Sequence, residues 1–184
     1  MIRRMLVLAS CLLALTGCDE WFAKRPLIPV SQRADVQIGG IFDGENYNFM
    51  LKALGNGVYE LTTFTNEIGD GSTEQVVFDE IGEPGEGYYL IETKKVDENG
   101  GYIYAYQIVQ LVVDSDRPDQ VVEFAQYSVN CSSRASALAL PSEGIFDKCE
   151  FGSYENLSAA ASDAMEWLSD ARMRVYFENF QKLQ

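Results

Sequence analysis

Tyr102-Ile-Tyr-Ala-Tyr-Gln-Ile-Val-Gln-Leu-Val-Val113 is the longest strand candidate of the chain, rich in aromatic and β-branched residues. Both alternating sets of its positions contain apolar side chains, which is typical of a strand covered on both faces. Asp97-Glu-Asn-Gly-Gly101 before it predicts a hairpin turn, and Asp114-Ser-Asp-Arg-Pro-Asp119 after it predicts another. The stretch therefore predicts a central strand with hairpin neighbours on both sides.

Five further strands follow from the same two signals, alternation of side chains and turn residues between segments. The predicted strands are 47–53, 58–64, 75–78, 88–96 and 121–129. Leu54-Gly-Asn-Gly57 separates the first two, and its Asn-Gly pair can accept the positive φ angles of a tight hairpin.

The chain changes character after Cys131. Residues 132–140 predict a short helix or loop, and 145–151 a short extended piece. From Leu157 to Leu168 apolar residues recur at intervals of three and four, which predicts a helix, and residues 173–183 fit a terminal helix or an extended tail. The predicted fold class is α+β, an antiparallel meander sheet of about six strands, open or curved into a half-barrel, followed by one or two C-terminal helices.

The composition is that of an acidic globular protein. The chain has 184 residues, 47% hydrophobic and 12% aromatic, with 28 acidic and 14 basic residues and a formal net charge of −14. These fractions suit a single domain with a core rather than a disordered chain. Nucleic acid would be repelled and is not an expected partner, whereas a basic protein or cations remain possible.

The N-terminus combines a basic start with a short apolar run. Arg3 and Arg4 precede the apolar residues 5–15, which are too few to span a bilayer as a finished helix, as in a secretory signal. Leu15-Thr16-Gly17-Cys18 resembles the lipobox of bacterial lipoproteins. The resemblance covers residues 1–20 and implies that residues 1–17 are a signal peptide and that Cys18 becomes the lipidated N-terminus.

This resemblance implies a cellular location for the protein. Two or three acyl chains on Cys18 would anchor it stably in a lipid bilayer, on the periplasmic face of a cell membrane. Asp19 and Glu20 resemble the pattern that retains lipoproteins in the inner membrane, so the inner membrane is favoured over the outer. Loss of residues 1–17 would remove two arginines, leaving 12 basic residues and a net charge of −16.

Residues 18–37 show neither a helical nor a strand period and contain Pro26 and Pro29. They are predicted to be the lipidated N-terminus and tether, before a single globular domain at residues 38–184. Trp21 and Phe22 either lie at the level of the lipid headgroups or cover the core of the domain.

The implied envelope location assigns different roles to the four cysteines. Cys11 would leave with the signal peptide and Cys18 would be acylated, so Cys131 and Cys149 remain as a pair in an oxidising compartment. They are predicted to form a disulfide, worth roughly 3 kcal/mol for a loop of this length. A metal or redox pair is disfavoured, because the chain contains no histidine and the spacing is far from C-x-x-C.

No catalytic motif is present, and the expectation is a protein without enzymatic activity, cofactor or metal. Three weaker patterns could each indicate a functional site, but each also fits an ordinary structural role. Five carboxylates on or beside strands could form an acid pair, three aspartates in the 114–119 turn could bind calcium, and four tyrosines could line a groove. These residues are Glu60, Asp79, Glu80, Glu92 and Glu123; Asp114, Asp116 and Asp119; and Tyr88, Tyr102, Tyr104 and Tyr106.

Two classes of function fit these observations. The favoured one is a membrane-anchored envelope protein that serves as a non-enzymatic interaction or assembly module facing the periplasm, with an envelope protein as partner. The alternative is a small-ligand carrier with a lipocalin-like cavity. A closed apolar cavity would favour the carrier, and a filled core with a flat, partly apolar exposed face would favour the interaction module.

Overall fold

The computed structural model describes residues 21–183, apart from residues 46, 65–70, 98, 128, 130, 132, 142–147 and 169–175. The described residues form ten strands, one turn of 3-10 helix and two α-helices. In chain order these are β1 (Trp21–Ala23), the 3-10 turn (Val30–Gln32), β2 (Gly40–Asp43), β3 (Asn48–Gly55), β4 (Val58–Phe64), β5 (Gly71–Glu80), β6 (Tyr88–Val96), β7 (Tyr102–Asp114), β8 (Arg117–Tyr127), α1 (Ser133–Leu138), β9 (Cys149–Glu150), α2 (Tyr154–Leu168) and β10 (Tyr176–Lys182).

Eight strands close into an antiparallel barrel in the order β2-β3-β4-β5-β6-β7-β8-β10. The ring closes because β10 pairs with both β8 and β2, and because β6 pairs with β7 along its whole length. The other two strands lie outside the ring. β1 pairs with residues 104–106 of β7, beyond the point where β8 ends, and β9 runs parallel to β1.

The predicted open meander of about six strands with C-terminal helices is therefore wrong. The sheet is a closed barrel, and the chain does not end in helices, because β10 follows α2. The physical reason is that the alternation of side chains is the same in an open and in a closed sheet. Closure depends on pairing between β10 and β2, which are far apart in the sequence.

Several strand boundaries were predicted correctly although the architecture was not. β4 and β6 begin and end at the predicted residues, and β7 extends one residue beyond its prediction. The turn between β3 and β4 has positive φ at both central residues, 57° at Asn56 and 68° at Gly57, as the Asn-Gly pair predicted.

The two ends of the barrel differ. One end has the turns at 56–57, 81–87 and 115–116, and we call it the covered end. The opposite end has the connections between β2 and β3 and between β6 and β7, and we call it the mouth. Gly87 at the covered end has φ of 76°, and a Cβ there would lie 2.5 Å from the Leu111 carbonyl oxygen, so only glycine fits.

The helices and the N-terminal residues cover part of the outer wall. Leu157, Ala160 and Ala161 of α2 are buried in one apolar cluster with the outward residues Leu90 and Ile108 of the barrel. The Arg134 guanidinium of α1 forms an ion pair with Asp163 of α2. Among the helices of the described part, none has the length and apolarity needed to span a bilayer.

Residues 21–37 lie against the barrel. Trp21 is only 1% exposed and contacts the ring of Phe151, with ring centroids 5.5 Å apart, so of the two alternatives for this side chain, covering the core is the one observed. Leu27 and Ile28 are also buried, at 7% and 2% exposure. From β1 the chain crosses the outer wall of β6 and reaches the covered end at residues 33–38.

Candidate functional site

Aromatic rings fill the barrel interior beneath the connection between β2 and β3. Phe42, Phe49, Phe124 and Phe180 come from four different strands and are at most 5% exposed. Their ring centroids lie 4.7 to 6.3 Å apart, in stacked and edge-on arrangements. An eight-stranded barrel is just wide enough for side chains to fill, so these rings occupy much of the interior at this level.

Residues 33–38 lie across the covered end. The amide of Ala34 donates a hydrogen bond of 2.8 Å to the Phe78 carbonyl. The Tyr59 hydroxyl, inside the barrel, donates to the Val36 carbonyl at 2.7 Å and accepts from the Val36 amide at 2.6 Å. Burial raises the pKa of the Tyr59 phenol, so it stays protonated and able to donate. Ala34, Val36 and Ile38 pack on the interior cluster and cover this end.

Polar side chains inside the barrel lie mainly toward the mouth. Cross-strand partners in an antiparallel pair point to the same face, so a residue opposite an interior residue is also inside. Gln107 is opposite Ile91, Gln126 is opposite Val109 and Thr93 is opposite Val76, so these three polar side chains point inside. The polar inward residues toward this end, which we call the polar mouth, are Tyr47, Thr63, Ser72, Glu74, Thr93, Lys95, Gln107 and Gln126. The same register places the apolar side chains of Ile103 and Ala105 inside as well.

Exposure within the polar mouth increases toward its rim. Gln126 and Thr93 are buried, at 7% and 5% exposure, whereas Gln107 is half-buried and Ser72 is exposed. The interior therefore changes from buried side chains in its middle to partly exposed polar groups at the rim of the mouth.

Hydrogen bonds link the buried side chains of the polar mouth. The Tyr47 hydroxyl donates to Gln126 Oε1 at 3.3 Å, and Gln126 Nε2 donates to Gln107 Oε1. The Tyr47 ring packs edge-on against Phe180, with centroids 5.0 Å apart. At the rim, the hydroxyls of Thr63 and Ser72 are 2.7 Å apart. These contacts hold several donors and acceptors in place before any ligand arrives.

The predicted carboxylates are not in the polar mouth as a group. Asp79 and Glu92 are diagonal neighbours on the outer faces of β5 and β6, but both are buried, at 3% and 4% exposure. The Tyr154 hydroxyl of α2 donates to Asp79 Oδ2 at 2.8 Å, and the Tyr106 hydroxyl donates to Glu92 Oε2 at 2.8 Å. Both carboxyl groups thus fasten covering elements to the barrel wall and lie out of reach of a substrate.

The other three carboxylates are dispersed. Glu80 Oε1 accepts from the Gly85 amide in its own turn, and Glu123 Oε2 accepts from Gln181 of β10. Glu60 is half-buried and opposite Lys52 and Gln75 in the register, on the outer wall.

Burial and hydrogen bonding shift two pKa values beneath α2. Burial raises the pKa of the Asp79 carboxyl, against the smaller lowering effect of the Tyr154 hydrogen bond. Burial and the same hydrogen bond raise the pKa of Tyr154 to about 12. The pair is a structural contact between the helix and the barrel.

The four tyrosines pack on the outer wall instead of lining a groove. Tyr88 and Tyr106 are buried in the cluster beneath the helices, and Tyr104 packs at its edge. Tyr102 is 56% exposed, with Lys94 Nζ 3.9 Å from its ring centroid.

The Asp114 carboxylate, in the acidic turn after β7, forms its hydrogen bonds within that turn. Asp114 accepts from the Asp116 amide at 2.9 Å and from the Arg117 guanidinium at 2.9 and 3.1 Å, which together lower its pKa. The side chain of Asp119 lies outside the described residues. Within the part of the chain that is described, no group of three or more Cys, Asp or Glu side chains is arranged to hold a metal ion.

Of the residues predicted to have a covalent role, the two of the disulfide are seen. Cys131 and Cys149 are bonded to each other, with Cα atoms 5.5 Å apart, and Cys149 pairs with Trp21 in the sheet. Cys18, Asp19 and Glu20 lie outside the described residues, so the predicted lipidation and sorting signals stay predictions.

The polar mouth was not anticipated from the sequence. A signal existed in the longest strand, where Gln107 interrupts a run of apolar and aromatic residues. A polar side chain at such a position can face a polar interior as well as solvent, so the pattern becomes informative only once the faces of the strand are known. Comparisons of the chain with protein-family models, with curated proteins and with solved structures found no match.

Proposed function

We propose that this protein is a lipid-anchored envelope protein that binds a small ligand in the polar mouth of its barrel. The supporting observation is the difference between the two ends of a closed barrel. The covered end is closed by residues 33–38, and the mouth presents fixed, partly exposed polar groups. Small-ligand sites are concave and contain a few convergent polar groups, which is the arrangement at the mouth.

The anchoring part of the proposal rests on the lipobox at Leu15–Cys18. Acyl chains on Cys18 would hold the protein on the periplasmic face of a membrane, and Asp19 with Glu20 favours the inner membrane. Only two residues separate Cys18 from Trp21, which is already packed in β1. At about 3.5 Å per residue, the wall beside β1 would lie within roughly 10 Å of the lipidated cysteine.

Two experiments test this proposal. Native mass spectrometry of protein purified from its own envelope fraction is expected to show an additional small molecule that is lost on denaturation. Metabolic labelling with radioactive palmitate is expected to mark the wild-type chain and not Cys18→Ala. A Cys18→Ala variant that still labels and fractionates with membranes would overturn the anchoring, and repeated recovery of ligand-free protein would overturn the binding.

A second candidate is the interaction module, which the uncovered wall favours. Ile41, Val112 and Leu183 are 36% to 50% exposed, and the Leu183 amide donates a hydrogen bond to the Ile41 carbonyl. Crosslinking in intact cells, followed by purification of the lipidated protein, is expected to recover the same envelope protein repeatedly if this wall is an interface. An Ile41→Lys variant should then lose it, whereas unchanged recovery would exclude this wall.

A further inference from the structure

We infer that the polar mouth selects a small neutral ligand with several hydroxyl or amide groups, of the N-acetylated sugar class. This inference rests on the proposed ligand binding and specifies its chemistry. It follows from three properties of the mouth: its hydrogen-bonding groups, its charges and its aromatic ring.

The hydrogen-bonding groups of the mouth can both donate and accept. The glutamine amides at 107 and 126 have this dual capacity, as do the hydroxyls of Tyr47, Thr63 and Ser72. Sugar hydroxyls and acetamido groups have the same capacity, so each can pair with these side chains in more than one arrangement. An apolar ligand would instead cover the partly exposed Gln107 and the exposed Ser72 without replacing their contacts with water, which costs free energy.

The charges of the mouth favour a neutral ligand. Among its described inward residues two are charged, Glu74 on β5 and Lys95 on β6. In the register of β5 and β6, Glu74 is opposite Lys95, one position beyond the pair Gln75↔Lys94. Opposite charges therefore face each other across neighbouring strands. The net field of the pair on a bound ligand is small, and the net charge of −14 disfavours anions further.

The aromatic ring of the mouth suits a sugar. Tyr47 is half-buried and held edge-on against Phe180, and its hydroxyl is bonded to Gln126. A fixed ring of this kind can pack against the apolar face of a sugar while its neighbours bind the hydroxyls. Phe180 in turn packs against Phe49 and Phe124, so buried rings lie behind Tyr47.

Isothermal titration with the full mature protein tests this inference. The probes are N-acetylglucosamine and its β-1,4-linked disaccharide, with lauric acid and citrate as apolar and anionic comparisons. We expect the sugars to bind and the other two not to bind. Gln107→Leu should weaken sugar binding about tenfold, the equivalent of one hydrogen bond.

Matched variants separate the site from the fold. Gln75→Leu, on the exposed outer face of the neighbouring β5, should leave sugar binding unchanged. Tyr47→Phe, which keeps the ring, gives a second measurement in case Gln107→Leu fails to fold, and it should also weaken binding.

Each other outcome has a definite meaning. Binding of lauric acid or citrate in place of the sugars would overturn the ligand class while leaving the proposed function intact. Sugar binding that is insensitive to both mouth variants would overturn the location. Failure of every probe would overturn the sugar class, and a ligand-free protein by native mass spectrometry would at the same time overturn the proposed function.

Discussion

The Tyr106 hydroxyl donates a hydrogen bond of 2.8 Å to Glu92 Oε2, its directly opposite cross-strand partner on the outer wall of the barrel. The same oxygen accepts from the backbone amides of Leu27 at 2.7 Å and Ile28 at 3.1 Å. One buried carboxyl group therefore fastens the N-terminal residues to β6 and β7. This contact keeps the chain close to the barrel wall between β1 and the covered end.

Glu92→Ala is expected to lower the free energy of unfolding by about 3 kcal/mol, because three buried donors lose their acceptor at roughly 1 kcal/mol or more each. Urea unfolding followed by tryptophan fluorescence measures this. Glu45→Ala, at an exposed position, is the control and should change stability by less than about 0.5 kcal/mol. Equal effects of the two substitutions would show that Glu92 does not fasten the N-terminal residues.

Tyr59→Phe is expected to loosen the cover of the barrel without disturbing the ring packing. The substitution removes the group that both donates to and accepts from the Val36 backbone, at a cost of about 1–3 kcal/mol. Hydrogen exchange should become faster at residues 34–38 while the amides of β6 and β7 stay protected. Uniform acceleration throughout the barrel would argue for a global effect instead.

Asp79 is expected to make stability depend on pH. Its pKa is raised in the folded state by burial, so the folded protein binds the proton more tightly than the unfolded chain. Stability from this group is therefore fully present below the unfolded pKa, near 3.8, and is lost as pH rises through the folded value.

Asp79→Asn should remove this contribution to the pH dependence while keeping an acceptor for Tyr154. Unfolding free energies measured between pH 4 and pH 8 should fall more steeply with pH in the wild type than in the variant. Parallel profiles for the two proteins would contradict the assignment.

Loss of the disulfide is expected to destabilise the region beside β1. The double variant Cys131→Ser with Cys149→Ser should unfold about 3 kcal/mol more readily than the oxidised wild type. Reduction of the wild type should have a similar effect, measured by urea unfolding with and without dithiothreitol. If the double variant matched the oxidised wild type, the bond would contribute nothing to stability.

Strand positions could be predicted because their signals are local. Alternation and turn chemistry act over a few residues, and Asn56-Gly57 specified a hairpin whatever the rest of the chain did. The pairing of Cys131 with Cys149 followed from the cysteine count and the signal-like N-terminus. Neither required knowledge of the fold.

The tertiary structure decided the closure and the site. β10 joins β8 to β2, and residues 21–38 pack on the wall and across one end, through contacts between segments far apart in the chain. No local pattern encodes such contacts, because the same alternation fits an open sheet and a barrel. Which face of each strand is inside was settled only by closure, and this is why Tyr47, Gln107 and Gln126 could be recognised as one site only in the folded protein.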